Sequence, residues 1–289
     1  MDTLTYAIIT PARNERENLT RLAESVTAQR VLPACWVIVD DGSDDGMEVV
    51  AAELAERHDW ILVAATGEDA DDLAEGRRRG RDLLAFRRGL RSLPAPADIF
   101  VKVDADTSFE PDYFERLLAR FADDPQLGIA GGCCYELENG RWERMKVAGS
   151  HPRGASRAYR WSLVEVVEEL EPELGWDGVD EVMAELRGYR TAGFQDFGFR
   201  HHRKVGEREG RFRAGAALGR QAWYMGYRPS YLMLREVYRA RENFAALAMV
   251  WGFAAAAASR APQCPHPSVT QRIRETQRLR VVARRGGWT

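Results

Sequence analysis

The chain has 289 residues, 45% hydrophobic and 29% charged, the balance of a folded globular protein with room for one large α/β domain or two small ones. A net charge of −3 gives no sign of a nucleic-acid partner held by bulk charge. Four cysteines without a C-x-x-C pair exclude a zinc ribbon or a disulfide framework.

Scattered cysteines fit a reducing, cytoplasmic compartment, and Cys133 and Cys134 read as small core residues. The opening residues show no secretory leader, and no apolar run reaches the length of a spanning helix. In chain order, Thr5 to Thr10 predicts a strand that breaks at Pro11–Glu15. Leu19, Leu22, Ala23 and Val26 follow at helical spacing. Trp36 to Val39 predicts a second strand, closed by Asp40–Ser43. Ser43 or Asp44 is expected to cap a helix with Met47, Val50, Ala51 and Leu54 on its apolar side. Trp60 to Ala64 predicts a third strand, and an Arg-rich helix follows over roughly 73–91. Pro111 opens a helix with Tyr113, Phe114, Leu117, Leu118 and Phe121 on one side. Apolar runs alternating with helices predict a mostly parallel sheet covered on both faces. Ligands bind such sheets outside the carboxyl ends of the strands.

The stretch Asp98–Thr107 is one of these runs, and it ends in Asp104 and Asp106. Residues i and i+2 share a face of an extended chain, so the two carboxylates can point into one space. Mutual repulsion there is relieved by a divalent metal such as Mg²⁺ or Mn²⁺, which prefers oxygen ligands and takes few from protein. A plain cap and a solvated aspartate would explain the pattern equally well if it stood alone.

The ordered set does not stand alone. Thr10-Pro11-Ala12-Arg13-Asn14-Glu15, Val39-Asp40-Asp41-Gly42-Ser43-Asp44-Asp45-Gly46 and Asp104-Ala105-Asp106 resemble the family 2 glycosyltransferases of the GT-A fold over about the first 140 residues. The resemblance implies an α/β GT-A domain, inverting sugar transfer from a nucleotide-diphosphate donor, and a Mg²⁺ or Mn²⁺ cofactor. It implies that Pro11, Ala12, Arg13, Glu15 and Asp41 line the nucleotide pocket. Asp106 is implied to bind the metal, and Asp104 to sit by the ribose or a metal-bound water. Arg81, in the basic stretch Gly76–Arg81, is expected either at the diphosphate or on a solvated helix face.

The second half of the chain resembles the family more loosely. Gly131–Glu136 predicts a returning strand, with Trp142–Val147 as its hairpin partner. In His151–Trp161, Arg153, Arg157 and Tyr159 are candidate acceptor contacts, since aromatic faces stack on sugars and guanidinium groups bind hydroxyls and phosphates. The alternative is that Tyr159 and Trp161 pack and the arginines are solvated. Inverting transfer needs a carboxylate to take the acceptor proton. Asp177 is the first candidate and Asp180 the second, with Trp176, an acceptor-side candidate, standing where relatives carry a Glu. After a strand around Thr191–Phe197, His201 and His202 offer a further metal or phosphate ligand, and His202 is favoured. Arg203 and Lys204 are placed to offset leaving-group charge. Gly206–Gly219 reads as a loop that orders on donor binding.

The C-terminal part is helical. Phe244–Ala258 carries no charge and spans roughly 22 Å, short of a bilayer core. It is read as a buried helix, a homodimer contact, or a segment lying in a membrane interface. Residues 272–285 hold six arginines and one acid, which suits an anionic lipid surface or a lipid-phosphate acceptor and equally a solvated end. The expected organisation is a GT-A domain over 1–215, with a donor half to about 140 and an acceptor half over 141–215, then a helical extension over 216–289. The expected partners are a nucleotide-sugar donor and a glycan, lipid-linked or small-molecule acceptor, and no nucleic acid. The expected location is the cytoplasm, the inner membrane face included. The rival readings are a nucleotidyltransferase and a non-catalytic GT-A-like partner subunit.

Overall fold

The structure is a computed structural model and describes residues 4–66, 80–145, 151–203, 210–239 and 246–278. The described residues divide into two compact units. The first lies within Met1–Gly76, Arg81–Glu169 and Arg187–Lys204; the second within Arg77–Gly80, Leu170–Leu186 and Val205–Thr289.

The first unit is built on a nine-stranded sheet. Its strands are β1 (Tyr6–Ala12), β2 (Cys35–Asp40), β3 (Ile61–Ala65), β4 (Ile99–Val103), β5 (Thr107–Phe109), β6 (Leu127–Glu138), β7 (Arg141–Arg144), β8 (Ser156–Arg160) and β9 (Arg190–His201). They run in the order β3-β2-β1-β4-β8-β6-β9-β5, with β7 as a hairpin on β6. β3, β2, β1 and β4 are parallel, and β8 is antiparallel to both its neighbours. β1, β2 and β4 are apolar runs buried on both faces, the signature of a covered parallel sheet. The α/β class with a helical C-terminal region is the architecture the sequence implied.

The covering helices bury the residues that their periodicity picks out. α1 (Arg16–Thr27) buries Leu19, Leu22, Ala23 and Val26, and α4 (Tyr113–Asp123) buries Tyr113, Phe114, Leu117, Leu118 and Phe121. α2 (Met47–Arg57) buries Met47, Ala51 and Leu54. The expected caps Ser43 and Asp44 give way to Asp45, whose Oδ1 accepts the Met47 N–H at 3.0 Å. α3 (Arg81–Arg91) lies so close to the sheet that a Cβ on Gly89 would fall 2.3 Å from Ile9 Cγ2. The expected residues 73–79 of that helix lie outside the described residues. The short α5 (Val164–Glu169) completes this unit.

The second unit is all helix: α6 (Trp176–Leu186), α7 (Arg211–Tyr224), α8 (Pro229–Arg239), α9 (Ala246–Ala258) and α10 (Pro267–Thr276). The loop expected over Gly206–Gly219 is helical from Arg211 onward. Its glycines serve packing: a Cβ on Gly219 would lie 2.1 Å from Met249 O, and one on Gly252 2.0 Å from Ala216 O. Bare backbone therefore lets α7 and α9 touch. The boundary expected at 215 falls inside α7, and α6 belongs with the C-terminal helices. No helix among the described residues is long and apolar enough to cross a membrane.

Candidate active site

The registers Ala12↔Asp40 and Ile9↔Lys102 carry the ends of β1, β2 and β4 to one edge of the sheet. The loops beyond β1 and β2 are tied together there. Asn14, held at φ 54°, donates its N–H to Ser43 Oγ at 3.0 Å, and its Oδ1 accepts the Asp44 N–H at 2.8 Å. Asp45 Oδ2 accepts the Arg16 N–H at 2.9 Å. These bonds hold Pro11–Glu15 beside Asp41.

Asp106 sits in the turn between β4 and β5. Its carbonyl accepts the His202 N–H at 2.8 Å, and Thr107 pairs with His201, so the end of β9 lies alongside. The buried Asp106 carboxylate has His201 Nε2 at 3.3 Å from one oxygen and Arg203 at 3.3 Å from the other. Arg203 also donates to Glu15 Oε2 at 2.5 Å, and Asn18 donates to the same oxygen at 2.7 Å. On its far side, His201 Nδ1 stands 3.5 Å from Glu136 Oε1. Burial alone would lower the His201 pKa. The Asp106 carboxylate beside it, with Asp104 and Glu136, outweighs burial and leaves that pKa raised.

Two further carboxylates each have their own cation. Asp41 takes a two-pronged grip from Arg81, Nε and Nη2 each at 2.8 Å, and accepts from Thr66 Oγ1 at 2.9 Å. Both partners are buried. A planar fork on a carboxylate is the strongest geometry such a pair has. Arg81 is thus not on a solvated face, and its guanidinium is paired with Asp41. Asp104 lies 2.5 Å from the buried Lys102 Nζ, which has Asp82 at 3.7 Å. The i, i+2 carboxylates therefore have separate partners, because a turn replaces strand geometry after Val103.

Several expected site residues lie elsewhere. His202, the favoured ligand, turns to Ser108 Oγ at 2.8 Å and packs against Trp142; burial, with Arg21, pushes its pKa down to about 4. Strand alternation hands the inward place to His201 instead. Arg157 and Tyr159 are fully buried on β8 inside the sheet, Tyr159 stacked on Phe100 at 5.0 Å. They pack rather than meet an acceptor. Arg153 approaches Glu136 Oε1 at 3.7 Å. Trp176, Asp177 and Asp180 are on α6, in the helical unit. There Trp176 and Asp180 are buried and Asp177 is half-buried. Arg13 is exposed, Pro11 half-buried and Ala12 buried beside the edge.

The glycosyl transferase family 2 model matches residues 7–167, more than half of the chain. The chain belongs to glycosyl transferase family 2. It is 31% identical over 188 residues to the polyprenol monophosphomannose synthase of Mycolicibacterium smegmatis, covering 56% of this chain and 63% of that protein. It is 23% identical over 129 residues to a glucosyl-dolichyl phosphate glucuronosyltransferase of Haloferax volcanii, covering 45% of this chain and 37% of that protein. The chain thus spans less than two thirds of each of these curated relatives. In fold it is similar to a mannosyltransferase from Pyrobaculum calidifontis in complex with GDP-Man and Mn²⁺. The TM-score is 0.58 at 18% identity, covering 89% of this chain and 76% of that one. It is also similar to glucosyl-3-phosphoglycerate synthase from Mycobacterium tuberculosis in complex with Mn²⁺, UDP and glucosyl-3-phosphoglycerate, at TM-score 0.52 and 16% identity, covering 75% and 78%. The fold is GT-A.

In this family 2 chain, Asp106 and His201 offer a donor set that suits a divalent cation. One is a carboxylate and the other an imidazole whose buried Nε2, 3.3 Å from that carboxylate, makes no hydrogen bond of good geometry among the described residues. The carboxylate oxygen suits Mg²⁺ and Mn²⁺ alike, and an imidazole nitrogen beside it favours Mn²⁺ over the harder Mg²⁺. Glu136 stands where a carboxylate orients a histidine ligand from behind. Glu136 and Lys102 went unnoticed in the sequence. Glu136 lies two residues past Cys134 near the end of β6, and the β6–β9 pairing, Glu136↔His201, brings it to the site.

Proposed function

We propose that the chain transfers a sugar from a nucleoside-diphosphate donor to an acceptor nucleophile, with inversion at the anomeric carbon and help from Mg²⁺ or Mn²⁺. One observation carries the reading. A buried carboxylate, Asp106, stands between His201 and Arg203 at the carboxyl edge of the parallel strands. That is where a departing diphosphate needs opposite charge. A bound divalent ion, held by Asp106 and His201, would neutralise part of the leaving-group charge. Arg203 pairs with two carboxylates in the ligand-free protein and exchanges one of them for a phosphate oxygen as the diphosphate departs.

Pro11, Ala12, Arg13 and Glu15 flank the nucleoside, and Asp41, fixed by Arg81, accepts from its base. Asp104 accepts from the ribose. Asp177 takes the acceptor proton as the bond from the anomeric carbon to the diphosphate oxygen breaks. Asp180 is the alternative. The names of the curated relatives, which speak of polyprenol and dolichyl phosphate, favour a lipid-linked acceptor over a small molecule.

The test is a thermal-shift panel of UDP, GDP, dTDP and CDP, each with and without Mn²⁺. One nucleotide should raise Tm in a Mn²⁺-dependent way and so name the donor class. Folded protein that responds to none of the four would sink the proposal.

A further inference from the structure

The helical unit presents an outer surface that sugar transfer does not explain. Among the described side chains of α8, those exposed after the first turn are Met233, Leu234, Val237 and Tyr238, all apolar and on one side at i, i+4 spacing. α9 has no polar side chain along its length, and Leu247 and Trp251 point outward one turn apart. On α7 the exposed residues are Phe212, Arg213, Leu218 and Arg220, apolar and basic by turns. Phe212 meets Trp251 with ring centroids 5.9 Å apart, joining α7 to α9. The eight large apolar residues named here are each 45–59% exposed. An outer face without charge on two helices is costly in water.

Charge names the occupant. Residues 210–260 contain eight arginines and two glutamates, in a chain whose net charge is −3. Glu236 is buried and paired with Arg235 at 2.7 Å, so that pair cancels and leaves seven arginines against one glutamate in this stretch. Basic side chains beside exposed Trp, Tyr, Phe and Leu match the boundary of an anionic bilayer: the rings and aliphatic groups enter, and the guanidinium groups meet phosphate. A second copy of the chain would bring the same positive field against itself.

We infer that α7, α8 and α9 form a docking surface for an anionic lipid membrane, on which the protein lies without crossing it. The inference does not rest on the reaction assigned above, and its test needs no substrate. The full chain is floated with vesicles of phosphatidylcholine alone and of phosphatidylcholine mixed with phosphatidylglycerol. It should rise with the anionic vesicles only. Val237→Gln/Trp251→Gln should cut the partition constant by about tenfold or more. Arg213→Gln/Arg220→Gln should cut it by roughly thirtyfold at low salt, with high salt mimicking that loss in the wild type. All four positions are exposed, so the variants should keep the circular dichroism spectrum and melting temperature of the wild type. Recovery with neither vesicle, or recovery indifferent to both double variants, would overturn the inference. So would a sedimenting dimer that Val237→Gln/Trp251→Gln abolishes, since that assigns the face to a second copy.

Discussion

At the scale of single residues, the candidate site rests on which side chain reaches Asp106. His201 Nε2 stands 3.3 Å from it, while His202 is turned to Ser108. His201→Gln should weaken Mn²⁺ binding at least about tenfold, the scale of losing a group that shapes a metal site. His202→Gln should leave it within about twofold of wild type, as titration calorimetry in the presence of the preferred nucleotide would register. The reverse ranking would return the role to His202. Asp106→Asn should abolish transfer while the protein stays folded, and full activity there would remove the metal assignment. The two α6 carboxylates separate in the same manner. Asp180 is fully buried, and its Oδ1 accepts the Glu181 N–H at 2.6 Å, whereas Asp177 is half-buried. Asp177→Asn should lose transfer and keep the nucleotide-dependent thermal shift. Asp180→Asn should mainly lower Tm, because it disturbs a buried hydrogen-bonded group. Loss of transfer at unchanged Tm in Asp180→Asn would move the base one turn along the helix.

Elements were legible in the sequence wherever periodicity and burial coincide. The apolar faces of α1 and α4 were read residue for residue, since a helix on a sheet has only one side to bury. The three strand-end clusters were legible for a related reason: parallel strands must finish at one edge. β8 was not. Its arginines read as acceptor contacts or as solvated, and its tyrosine as either an acceptor contact or a packing residue, yet cross-strand stacking of Tyr159 on Phe100 and a carbonyl partner, Pro152 O, for Arg157 make burial affordable. The glycines of α7 misled in the same way. Local flexibility is their usual meaning, but Gly219 admits a neighbouring helix, as Gly252 of α9 does from the other side. Gly252→Ala should therefore destabilise the helical unit by about 1–3 kcal/mol, since its Cβ meets backbone that no rotamer change can move. The urea midpoint should fall accordingly. An unchanged midpoint would mean that α7 and α9 part without cost.

At the scale of the molecule, the division of the chain is the feature least visible in its order. α6 precedes β9, the strand that carries His201, so it reads as part of the sheet domain. Its packing partners come instead from the C-terminal end. A Cβ on Gly178 would lie 2.6 Å from Met225 Cε, one on Gly175 would lie 2.4 Å from Gln221 Cγ, and Arg272 pairs with Glu185. Only contacts distant in sequence reveal this, and local patterns cannot carry them. A consequence follows for a chain ending at 204. It keeps every described strand, together with Asp106, His201 and Arg203, yet it strips α6 of Gln221, Met225 and Arg272, against which Gly175, Gly178 and Glu185 pack in the full protein. Such a chain should bind a hydrophobic dye several-fold more strongly than the full protein, in line with newly exposed apolar surface. It should lose transfer, because the helix bearing Asp177 is no longer held. The Mn²⁺-dependent nucleotide shift should persist, since the residues proposed for the donor lie in the sheet unit. Retention of transfer by the shortened chain would show that Asp177 needs no support from the C-terminal helices. It would place the acceptor base within the strands and loops instead.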